Sequence, residues 1–193
     1  MTTLLNEAAA SLTGAWRLAH FDAGGMGYFN TTHEGVWRSF WAAAIVAPLY
    51  ALLLLAAFPL LDPAPNGLRF ILVEAEGYVL SWVAYPLVIA WLTQQLGCWN
   101  RFPAYLVAYN WAMVLANGVT IPINIARITE IVPADAGGFL WLIGVSAVFA
   151  YLWFIARTAL PVSGMAATGI VFLDLALSLL IGMTTTRMYW PVS

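Results

Sequence analysis

The chain has 193 residues, 63% of them hydrophobic and 8% charged, with a formal net charge of −2 at pH 7. Soluble domains are about 25% charged, so this composition cannot cover a surface in water and requires lipid as its solvent. The small net charge and the lack of a basic cluster exclude nucleic acid and a polybasic lipid anchor, leaving the lipid bilayer, other membrane proteins or further copies of the chain as partners. All the basic residues are Arg, which with abundant Ala indicates a GC-rich bacterial genome and a multi-pass protein of the bacterial inner (cytoplasmic) membrane. The expected fold is all-α: a polytopic transmembrane bundle of five helices over 36–193, preceded by a cytoplasmic or interfacial segment over 1–35 that carries an amphipathic helix.

In residues 4–20, Leu5, Leu12, Trp16 and Ala19 share one helical face while Asn6, Glu7, Thr13 and Arg17 lie elsewhere. That pattern suits a helix lying in the interface or packed on the bundle. Gly24, Gly25 and Gly27 crowd the next segment and predict a turn instead of a helix. No basic n-region followed by a continuous apolar stretch opens the first 35 residues, so no cleavable signal peptide is expected and the first span directs insertion. Thr31-Thr32-His33-Glu34 fits the Thr-x-x-Glu capping box ahead of an apolar run and predicts a helix start near Thr32. The Asn30-Thr31-Thr32 sequon is expected to go unused in a bacterial cytoplasmic segment.

The first span, 39–61, is free of charge and at about 1.5 Å per residue crosses an apolar core of about 30 Å. The others are expected at 68–96, 102–126, 137–156 and 162–188, with Pro48 and Pro86 inside the first two spans. Short loops predict that sequential spans are antiparallel neighbours. Trp37, Trp41, Trp99, Tyr105, Trp141, Tyr189 and Trp190 fall near span ends, as interfacial aromatic belts do. An odd number of spans puts the termini on opposite sides. A cytoplasmic N-terminus gathers Arg17, Arg38, Arg101 and Arg157 inside against Arg69, Arg127 and Arg187 outside, so the positive-inside rule favours that orientation, with the C-terminus periplasmic.

The polar residues within the spans form the candidate intramembrane site. Asn110, Asn117 and Asn124 recur every seven residues and stack on one face of the third span with about 20° of drift per step. An amide facing lipid leaves strong donors and acceptors unsatisfied, so this face turns inward, either as interhelical glue or as the lining of a polar path. Asp174 lies at the centre of the fifth span on a face shared with Ser163, Ser178 and Thr185. A carboxylate there costs about 2.5–3.5 kcal/mol on insertion scales, so it is expected to be partnered, hydrated or protonated. It handles ions or protons, or it pins helix register. Glu74 and Glu76, two residues apart, point about 200° apart around a helix. Glu76 is expected to face headgroups with Arg69 compensating it, and Glu74 to point inward, where Tyr78, Ser81 and Tyr85 continue a polar stripe.

Enzyme templates do not fit. His20 and His33 both fall outside the spans, which excludes haem ligation by paired intramembrane His and disfavours a His-based metal site. No Gly-x-Ser-x-Gly, His-Glu-x-x-His or phosphate-binding Gly loop occurs. Cys98 has no Cys or His at metal-ligand spacing and reads as a small apolar residue. No catalytic residue, metal or cofactor is expected.

Gly77-Tyr78 followed by Pro86-Leu87 in the second span, together with five spans, short loops and a cytosolic N-terminal segment, resembles the Yip (Rab-interacting) family and its alphaproteobacterial-type members, over about residues 30–188. In eukaryotes that resemblance implies membrane-trafficking factors that bind small GTPases. The acidic Asp-Leu-Tyr-Gly-Pro stretch of those members is missing here, with Phe21-Asp22 and Gly27-Tyr28 its faint echo, so GTPase binding is not carried over. The expected function is a non-enzymatic scaffold, assembly or membrane-organising factor. The alternative is a small channel or transporter built on Asp174 and the Asn110, Asn117, Asn124 face.

Overall fold

The computed structural model describes residues 2–189. Among them there are helices and no strands: α1 (Thr2–Ala19), a 3-10 turn (Ala23–Tyr28), α2 (His33–Ser39), α3 (Trp41–Ala57), α4 (Gly67–Gln95), α5 (Phe102–Ile128), α6 (Ala134–Ala159) and α7 (Gly164–Met188). Five helical stretches are long and apolar enough to cross a membrane: His33–Leu60, Gly67–Gln95, Trp99–Ile128, Ala134–Ala159 and Gly164–Met188. The protein is a multi-pass, all-α bundle.

Helix ends follow from local chemistry. Thr32 caps α2 by accepting the Gly35 N–H at 3.2 Å, Asn66 caps α4 from Arg69 N at 3.1 Å, and Ser163 caps α7 from Ala166 N at 3.2 Å. The helix thus starts at the expected place, near Thr32, with its cap one residue past the first Thr of the Thr31–Glu34 box. The Thr32 N–H donates instead to Asn30 Oδ1, and Glu34 accepts from Arg38. At the end of α4, Gly97 adopts φ +66° and the Cys98 N–H reaches back to Thr93 O at 2.9 Å, the αL closure that Gly permits most readily.

The packing order departs from the chain order. Helix α5 is central, lying against α3, α6 and α1, while α7 packs on α6 and α4. Half of the apolar window of α5 is buried, against 6% for the first span. The expectation of sequential neighbours holds for α5 with α6 and α6 with α7, and fails for α3 and α4, which meet only through a few side chains. Side-chain size supplies the reason. Ala42, Ala108, Ala112, Ala116 and Ala156 are buried where α3, α5 and α6 approach, and Gly144 lies against Ile123, so backbones come close there. Between α3 and α4 stand Tyr50 and Tyr78, whose stacked rings, 4.9 Å between centroids, hold the two backbones apart.

Helix α1 packs on α5 and α6 through Ser11, Ala15 and Leu18, all buried, while Leu5 and Trp16 of the expected apolar face are exposed. The Tyr151 hydroxyl donates to Ala15 O at 2.8 Å and ties α1 to α6. The glycine-rich segment forms a 3-10 turn because it lies directly on α1: a Cβ on Gly25 would stand 2.5 Å from Gly14 O. Arg38 pairs with Glu7 at 2.7 Å and Arg17 with Asp22 at 2.6 Å, which fastens the N-terminal segment to itself and to α2. The hydrogen bond from Arg17, with a second from the Gly24 N–H, holds the Asp22 carboxyl below the usual carboxylate range.

The aromatic belt is partial. Trp37, Trp41 and Trp99 are exposed near span ends, but Tyr105 and Tyr189 are buried because their hydroxyls bond Tyr85 and Glu74 within the bundle. Trp190 lies outside the described residues. Cys98 is a buried free thiol.

Candidate functional site

The gap that Tyr50 and Tyr78 hold open between α3 and α4 continues into a cavity of about 210 Å³ enclosed by α3, α4, α5 and α7. Each helix contributes residues to its wall: Val46 and Tyr50 from α3; Tyr78, Ser81, Trp82 and Pro86 from α4; Tyr109, Asn110, Met113 and Asn117 from α5; Asp174 and Ser178 from α7. Asp174 and Ser178 share the wall because they are one helical turn apart. Ser81 and Ser178 are exposed, so the rim between α4 and α7 is open.

Asp174 accepts one hydrogen bond among the described residues, from the Tyr109 hydroxyl to Oδ1 at 2.8 Å. Tyr109 is itself held by Tyr85, with ring centroids 4.4 Å apart, and the Tyr85 and Tyr105 hydroxyls are hydrogen-bonded to each other. These three buried tyrosines close the cavity toward the start of α5.

The asparagine face divides. Asn110 is fully buried; its Nδ2 donates to Ser39 Oγ at 2.8 Å, joining α5 to α2, and its Oδ1 is buried without a partner. Asn117 faces the cavity, but its Nδ2 donates to Met113 O of its own helix at 2.8 Å. Asn124 lies away from the cavity and accepts from Arg127 Nη2 at 2.9 Å, also on its own helix. The expected three-residue stripe is thus two cavity residues and a helix-end residue, and only Asn110 bonds another helix. Back-bonding to the i−4 carbonyl gives an amide a partner without any neighbour, which a heptad spacing does not reveal.

Glu74 forms a second centre. It is buried, and the Tyr50 and Tyr189 hydroxyls each donate to one of its oxygens. A second cavity of about 180 Å³ lies beside it, lined by Gly77, Ile181, Gly182 and Thr185 and sharing Tyr50, Ser81 and Ser178 with the first. The two cavities are thus adjacent, with those three residues between them, and polar side chains follow one another from Asp174 at mid-helix to Glu74, which Tyr189 at the far end of α7 meets. Gly77 permits this close passage: a Cβ there would stand 2.6 Å from Thr185 Cγ2. Glu76 is exposed, on the other side of α4. Arg69 donates to Met188 O at 2.6 Å, so it ties α4 to the end of α7 and does not serve Glu76. Ser163 is the α7 cap and takes no part in either cavity.

Tyr109, Tyr50, Trp82, Met113 and Ser39 were not legible as site residues. Aromatic residues in a span read as core or belt, and Tyr109 lies 65 positions from the carboxylate it serves. The second half of the Gly77-Tyr78 pair is legible in retrospect: Tyr78 donates to Ala43 O at 2.6 Å and props α3 away from α4.

No group of three metal-ligating side chains occurs among the described residues. The chain matches no protein-family model, no curated protein and no solved structure. The chemistry of the site is electrostatic. Asp174 and Glu74 line adjacent cavities whose walls hold no Arg; one phenolic hydroxyl donates to Asp174 and two donate to Glu74, without neutralising charge. Such an arrangement favours a positive guest.

Proposed function

We propose that this protein is a small membrane transporter or channel of the bacterial inner membrane that takes a small cation into its central cavity, with Asp174 as the counter-charge. The observation that carries the reading is the placement of Asp174, Asn110, Asn117 and Ser178 around one cavity at mid-span, where a carboxylate without a positive partner is costly. Glu74 with Tyr50 and Tyr189 extends the polar surface toward one end of the bundle, while Tyr85, Tyr105 and Tyr109 block the other. One blocked end and one polar end describe a carrier caught with its site facing a single side. The tally of Arg residues favours a cytoplasmic N-terminus, so the polar end faces the periplasm.

The scaffold reading has one observation in its favour. Every described hydrogen bond to Asp174 and Glu74 comes from a tyrosine on another helix or on the segment after α7, so the carboxylates also fasten the bundle. Uptake of monovalent cations into proteoliposomes separates the two. A transporter shows saturable uptake that Asp174→Asn abolishes while the variant still purifies as a folded protein. A scaffold shows no uptake above empty vesicles in either form.

A further inference from the structure

The wall of the central cavity also indicates which cation it takes. An alkali-metal ion is held by a shell of oxygens, six to eight for a hard cation of larger radius and usually including backbone carbonyls. Asp174 supplies the one charged group of this wall, and its other side-chain oxygens, on Ser81, Ser178, Asn110, Asn117 and the tyrosines, are neutral. The cavity, about 210 Å³, is far larger than one bare ion fills. On the α3 and α4 side the wall is largely aromatic and apolar, with Tyr50, Tyr78, Trp82, Val46 and Pro86, while α5 and α7 bring Met113, the Asn110 and Asn117 amides, Ser178 and the single carboxylate. Tyr78 stands between the other two rings, its centroid 4.9 Å from Tyr50 and 6.2 Å from Trp82, so the three form a continuous aromatic wall.

Aromatic walls beside one negative charge are the chemistry that binds alkylated ammonium ions, through the ring quadrupole and contact with the apolar groups around nitrogen. We infer that the ligand of the central cavity is a small organic ammonium ion, its nitrogen set against Asp174 and its carbon groups against Trp82, Tyr78 and Met113. The inference rests on the reading of Asp174 as the counter-charge of a bound cation. It adds the ligand class. Asn110, a residue of the same wall, has its Oδ1 buried without a partner, an acceptor left over for an N–H of a primary or secondary ammonium.

The test uses purified protein in nanodiscs with tetramethylammonium chloride as probe, against sodium and potassium chloride at equal ionic strength, read by thermal unfolding. Tetramethylammonium is expected to raise the melting temperature saturably, and the two alkali-metal salts are not. Asp174→Asn removes the shift, Trp82→Leu weakens the half-saturating concentration by about tenfold, and the exposed Glu76→Gln leaves both unchanged. If Asp174→Asn does not fold, Met113→Trp, which fills the cavity, serves in its place and abolishes the shift. Equal shifts with sodium or potassium overturn the organic-ammonium assignment while leaving an Asp174 cation site standing. A tetramethylammonium shift that survives both Asp174→Asn and Trp82→Leu places binding elsewhere and also overturns it. No saturable shift with any of the three salts overturns it too, and the Asp174-dependent uptake assay then decides separately whether a cation site exists.

Discussion

Replacing Tyr109 with Phe isolates the one hydrogen bond that Asp174 receives among the described residues, 2.8 Å from the Tyr109 hydroxyl. Phe keeps the ring that packs on Tyr85 at 4.4 Å between centroids, so the loss is confined to one O–H. A hydrogen bond to a charged group contributes about 1.5–3 kcal/mol. Between neutral partners in membrane helices the average is about 0.6 kcal/mol. An ionised Asp174, which a cation site requires, therefore makes Tyr109→Phe cost about 1.5–3 kcal/mol. In an Asp174→Asn background the same change costs about 0.6 kcal/mol. Unfolding free energies of the wild type, both single variants and the double variant, measured by steric trapping in bicelles, give the coupling directly. Equal costs for Tyr109→Phe in the two backgrounds would refute an ionised carboxylate held by this phenol.

The asparagines should separate by location. Asn110→Leu, which removes the buried hydrogen bond from α5 to Ser39, is expected to lower stability by about 1 kcal/mol or more, whereas Asn117→Leu, whose amide bonds its own helix, stays within about 0.6 kcal/mol but impairs cation uptake. An Asn117→Leu variant with unimpaired uptake would remove Asn117 from the site. Gly25→Ala is expected to cost about 1–3 kcal/mol and to expose α1 to protease, because its Cβ meets Gly14 O, while Gly27→Ala, with open space around it, is neutral in the same digestion. Reporters fused before Met1 and after Ser193 are expected to read cytoplasmic and periplasmic respectively; matching readouts would remove one span from the topology.

The span count was legible because lipid solvation imposes a composition that no packing detail can hide. Sequential neighbours were legible for α5, α6 and α7 but not for α3 and α4, because a short loop fixes only which ends are close. The match of Ala and Gly surfaces drew α3 to α5, and the bulk of Tyr50 and Tyr78 kept it from α4. Among the candidate polar residues, Asp174 and Asn110 were readable from the cost of leaving them unpaired. The partners were not, since Tyr109, Tyr50 and Tyr189 gain their roles only when distant segments meet. The asparagine repeat misled at Asn124, where Arg127 three positions on supplies a local donor. The buried Tyr105 misled as well, since proximity to a span end does not tell which way a ring faces.

The central claim, a water-connected cavity that draws cations to Asp174, is tested most directly by thiol labelling at Ser178, which lines both cavities. With Cys98→Ser as background, Ser178→Cys is treated with methanethiosulfonates of equal size carrying a trimethylammonium or a sulfonate group. The account predicts that the cationic reagent reacts at least about tenfold faster and that Asp174→Asn removes most of this preference. Equal rates for the two reagents, or no reaction with either in the folded protein, would contradict it.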